Sequence, residues 1–129
     1  MNNMLKRNLL RLSNNEKDKK IITFTLNKEM QESLREVLIH SEHYNLKMKS
    51  DWTNEAIVML RENPDYKEMV RNAEGKSGSF VFDKIYMTFD QRCFFSDMRN
   101  EVVKEFPDIQ GPQAAIIRAA ILSRLLRKK

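Results

Sequence analysis

A single cysteine, Cys93, excludes an intrachain disulfide and a thiolate metal cage, and it suits a reducing interior. It falls within a helical pattern, where burial is the expectation. With only three glycines and three prolines, the chain has few means of making tight turns, so a helix-dominated fold is expected. No stretch approaches the roughly 20 apolar residues that span a bilayer. The first residues, Met1 to Leu12, mix basic side chains with leucines and show no small-residue cleavage site, so they do not read as a secretion signal. A cytoplasmic protein is the expectation. Catalytic groups are also scarce. The two histidines, His40 and His43, stand at i and i+3 without further ligands in view, so no metal site is expected. Gly75-Lys76-Ser77-Gly78 lacks the glycine spacing and preceding strand of a phosphate loop. Cys93 has no base near it in sequence. These absences argue against an enzyme and against a cofactor.

What the chain has is charge. Charged residues make up 32% and the net charge is +5, against 41% hydrophobic residues. That balance gives a thin core with a large solvated surface, and the excess of cations favours an anionic partner, nucleic acid ahead of a membrane surface.

Along the chain, residues 1–20 carry Leu5, Leu9 and Leu12 on one helical face among Lys6, Arg7 and Arg11. They read as a short helix or a basic arm. Ile21 to Leu26 alternates as a strand. Asn27 is placed to cap a helix with Met30, Leu34, Val37 and Leu38 on its apolar face. Ser50 is placed to cap a second helix with Trp52, Ala56, Met59 and Leu60 inside and Ile57 beside them, stopped by Asn63-Pro64. Residues 65–82 form a linker that can hold a short helix carrying Tyr66, Met69 and Val70. Ile85 to Phe89 alternates again, with Asp90 as the expected cap. Phe94, Met98 and Val102 then form a helical stripe. Pro112 suits the first position of the last helix. Ala115, Ile116, Ala119, Ala120, Leu122 and Leu126 make that helix apolar nearly all round, with Arg118, Arg124 and Arg127 at its polar edge.

Residues 21–64 and 83–129 therefore repeat one pattern of strand, helix, polar break and helix. Phe24-Thr25-Leu26-Asn27 superposes on Met87-Thr88-Phe89-Asp90, and Ala56-Ile57 on Ala120-Ile121 after one inserted residue. One short strand leaves half its backbone groups unpaired, and two such strands can satisfy each other. The expected fold is mainly α with a short two-stranded antiparallel ribbon, Phe24 and Leu26 facing Met87 and Phe89 across the core.

Each copy resembles the ribbon–helix–helix family of DNA-binding regulators, the fold of the MetJ and Arc repressors. The residues carrying the resemblance are Ile22-Thr23-Phe24-Thr25-Leu26-Asn27, Ser50 through Ala56-Ile57, and Ile85 to Asp90. Gly111-Pro112 departs from it, standing where the second cap should be. A tandem arrangement resembles regulators from viruses of archaea. The resemblance implies an intrachain pseudo-dimer that acts as a repressor or other transcriptional regulator on double-stranded DNA, with chains able to associate side by side on a site. A two-stranded ribbon fits the major groove. The outward residues Thr23, Thr25, Tyr86 and Thr88 are thus the expected base contacts. Lys20, Lys47, Lys49, Ser50, Lys84 and Gln113 are the expected phosphate contacts, Ser50 and Gln113 because they stand at helix starts. A protein-interaction module, or an antitoxin or partition protein on the same fold, is the rival expectation.

Overall fold

A computed structural model of the chain describes residues 18–75 and 80–127. The elements in order are β1 (Lys20–Asn27), α1 (Lys28–His40), a 3₁₀ turn (Leu46–Met48), α2 (Lys49–Arg61), α3 (Tyr66–Asn72), β2 (Phe80–Met87), α4 (Phe89–Glu105) and α5 (Pro112–Arg127). The expected arm with Leu5, Leu9 and Leu12 lies outside the described residues, as do residues 76–79 of the linker.

The described chain is mainly helical, and its two strands pair with each other antiparallel. Side chains alternate across a strand. Ile22, Phe24 and Leu26 of β1 therefore share the inner face with Val81, Asp83, Ile85 and Met87 of β2. Ile22 stands opposite Ile85, Phe24 opposite Asp83, and Leu26 opposite Val81. This register corrects the expected pairing: Met87 lies opposite Lys20, and Phe89 is outside the strand. The cause is local. Thr88, not Asp90, caps α4. Its hydroxyl accepts from Gln91 N at 3.2 Å, and the Gln91 side-chain oxygen accepts from Thr88 N at 2.9 Å. This reciprocal cap starts the helix one residue after the strand ends, and Phe89 is left 49% exposed.

Most other boundaries follow the local signals. Asn27 caps α1, accepting from Glu29 N at 2.8 Å, and α1 buries Leu34 and Leu38. Pro112 is the first residue of α5. Gly111 before it adopts φ +55°, a left-handed conformation that glycine reaches without Cβ strain. α2 buries Trp52, Ala56, Ile57 and Leu60. Ser50, however, is not its cap. Asn45 caps one turn earlier, its side chain accepting from Lys47 N at 2.9 Å, and the 3₁₀ turn runs straight into α2. Ser50 thus falls in the first turn. α4 buries Phe95, Met98 and Val102. Cys93 lies off that stripe and is exposed, contrary to expectation.

α2 packs along α5 beneath the ribbon, with α5 also against β1 and α2 against β2. α5 buries every residue from Ala115 to Ile121, Arg118 included. Leu122 and Leu126 are exposed, while Leu125 packs partly buried against the core.

Candidate nucleic-acid interface

The outer ribbon face is set by the same alternation. Its opposed pairs are Ile21 with Tyr86, Thr23 with Lys84, Thr25 with Phe82, and Asn27 with Phe80. No helix covers this face at its centre: Thr23 and Lys84 are exposed, as are Ile21, Phe82 and Tyr86. Thr23, Thr25 and Tyr86 are therefore brought together on one side, as expected. Thr88 is not. It has left the ribbon and its hydroxyl is engaged in the α4 cap. Lys20 is exposed at the end of the ladder, on the inner-face parity opposite Met87.

Both edges of the ribbon carry outward backbone groups, and helices α2 and α5 supply partners for those of Tyr86 and for Thr25 O. On the β2 edge, Ser50 Oγ accepts from Tyr86 N at 2.9 Å. Asn54 Nδ2 donates to Tyr86 O at 2.9 Å and also to Ser50 O. On the β1 edge, Arg118 donates to Thr25 O and to Thr25 Oγ1, both at 3.0 Å, and to Ala73 O at 2.9 Å. Burial lowers the Arg118 pKa from its ordinary value; three acceptors compensate the enclosed charge. Thr25 is consequently half-buried and its hydroxyl is oriented. At the strand ends, Arg92 donates to Met87 O at 2.9 Å and binds the Asp18 carboxylate at 2.7 Å, tying the start of β1 to the end of β2.

The helix starts are less open than their sequence suggests. The Lys49 ammonium lies 2.5 Å from Asp83 Oδ1. Burial alone would raise the Asp83 carboxyl, but hydrogen bonds from Lys49, Lys84 N and Gln31 together hold it below the ordinary aspartate value. Lys49, an expected phosphate contact, is therefore ion-paired within the protein. At the start of α5, Gln110 N donates to Glu74 Oε2 at 2.5 Å, so the protein's own carboxylate already sits there. Gln113 is exposed in the first turn of α5. Lys20, Lys47 and Lys84 make no ion pair among the described residues, which leaves their ammonium groups turned to solvent.

Sequence reasoning missed Phe80, Phe82, Asn54 and the structural use of Arg118. The alternation of Phe80-Val81-Phe82 was a usable signal for the two aromatics. Nothing local marks the other two, whose partners are distant in sequence.

Among the described residues no group of three His, Cys, Asp or Glu side chains could hold a metal ion. His40 instead lies 3.2 Å from Glu36 Oε2 on its own helix. Nor is any described helix long and apolar enough to cross a membrane. No known protein family, curated protein or solved structure matches this chain.

Proposed function

We propose that the chain is a sequence-specific double-stranded DNA-binding regulator of transcription. It is built as two ribbon–helix–helix units joined into an intrachain pseudo-dimer, with the outer ribbon face lying in the major groove. The observation that carries this reading is the relation between the two halves. Ile22 is opposite Ile85 in the ladder, and the offset between them equals that between Lys49 and Pro112, the first residues of α2 and α5. This common offset supports a pseudo-dimeric relation between the halves, like that of a dimer in the resembled family.

In this reading Thr23, Thr25 and Tyr86 meet base edges, since hydroxyls can donate to or accept from them and a threonine methyl can touch a thymine methyl. Lys20, Lys84 and Lys47 neutralise phosphates, with Ser50 and Gln113 beside the helix starts. The net charge of +5 supports the same partner. The two strands differ in sequence, so one chain reads an asymmetric site, and a palindrome records two chains side by side.

Selection from a random duplex library with the full chain tests this. The expected result is one enriched asymmetric motif whose affinity falls steeply with salt. Failure to enrich any duplex at low salt overturns the reading. One observation favours a protein partner instead: an apolar cleft between α3 and α5, lined by Met69, Ala73, Ala119, Leu122 and Leu126. Binding that survives high salt and needs Leu122 and Leu126 would favour that alternative.

A further inference from the structure

Phe82 is 84% exposed, against 57% for Leu126 and 49% for Ile21. Isolated exposed apolar side chains are ordinary on protein surfaces. Phe82 is not isolated. It shares the outer sheet face with Phe80, Tyr86 and Ile21, opposite Thr25 and near the exposed Lys84. A phenyl ring offers no hydrogen bond. In the major groove, the apolar feature it can meet is the C5-methyl of thymine.

The two ends of the outer face are chemically unlike. One end carries Thr25 opposite Phe82 and Asn27 opposite Phe80. At the other, Ile21 stands opposite Tyr86; beyond them Thr88 is turned into a helix cap, and Lys19 precedes the strand. The two ends thus differ in their most exposed ring: Tyr86 is 43% exposed at one, and Phe82 84% at the other. Thr25 stands beside it with its hydroxyl held by Arg118 at 3.0 Å.

We infer that Phe82 is a specificity-determining residue that packs on thymine C5-methyl groups at one end of the DNA target. This rests on the DNA-binding reading above. It adds that the target carries thymine under the Thr25–Phe82 end and that removal of the methyl alone weakens binding.

The test uses the full chain and the duplex selected from the random library, resynthesised with each thymine replaced in turn by deoxyuridine. Only the methyl is lost. One or two replacements, clustered at one end of the motif, should each weaken binding about fourfold, the effect of one buried methyl-sized group. Phe82→Ala should bind the thymine duplex as weakly as the uracil duplex and no longer distinguish them. Phe82→Leu, which keeps apolar surface, should retain part of the difference. Phe89→Ala, an exposed aromatic outside the ribbon, should leave it intact. Uracil tolerated at every position, or a uracil effect unchanged in Phe82→Ala, overturns the inference while DNA binding stands. A chain that enriches no duplex overturns both.

Discussion

Ser50 Oγ and the backbone N–H of Tyr86, 2.9 Å apart, join the first turn of α2 to the free edge of the ribbon. Ser50→Ala removes the acceptor of an exposed bond and leaves the donor to solvent. A loss of about 0.5–1.5 kcal/mol is expected, read as a lower urea midpoint at unchanged slope. A midpoint that does not move would mean solvent replaces the hydroxyl.

Lys49 and Asp83 bear on acid stability. The Asp83 side chain is 7% exposed and its folded pKa lies below the ordinary value of about 3.9. A depressed carboxyl stabilises the fold fully above its unfolded pKa and loses that contribution as pH falls through the folded one. Asp83→Asn should therefore be less stable than the parent at pH 7, with the gap narrowing as pH drops below ~4. Urea titrations at pH 7 and pH 3 measure the gap, and a constant gap would contradict the linkage. Lys49→Met, for its part, should destabilise the fold rather than lower the salt slope of DNA binding.

Thr53 offers a gain. Its hydroxyl is buried without a hydrogen-bond partner among the described residues. Thr53→Val keeps the branched shape and removes the unpaired group, so stability should rise by about 1 kcal/mol. For a chain of this size that is a shift of roughly 3–5 °C in Tm. A lower Tm would show that the hydroxyl has a partner in solution.

Lys84 tests the electrostatics of the outer face. If its ammonium meets a phosphate, Lys84→Ala should weaken binding to all duplexes alike and reduce the slope of log K against log salt by ~0.9. Thr23→Ala, directly opposite it in the ladder, should instead relax base preference. Equal slopes for parent and Lys84→Ala would move the phosphate contact elsewhere.

Elements set by neighbouring residues were legible in the sequence. The alternation of Ile22-Thr23-Phe24-Thr25-Leu26 gave β1, Asn27 gave the α1 cap, and Pro112 the start of α5. The start of β2 was not legible, because Asp83 occupies an inward position and interrupts the apolar alternation. The distant Lys49 and Gln31, with the neighbouring Lys84 N–H, make that position tolerable. Arg118 misleads for the same reason. On a helical wheel it belongs to a solvated edge, yet it is buried because Thr25 and Ala73 supply acceptors from other elements. Thr88 was placed on the reading face by its parity, and a side-chain exchange with Gln91 removed it. Periodicity reports faces, whereas polar partnerships across the fold decide which polar groups remain available at the candidate interface.

A bare two-stranded sheet would invite further strands at both margins, and a chain with exposed phenyl rings on such a sheet would be prone to fibril growth. Here the side chains that satisfy Tyr86 and Thr25 also block recruitment at those positions. Addition of a further strand is thereby disfavoured at one position on each margin, Tyr86 on β2 and Thr25 on β1.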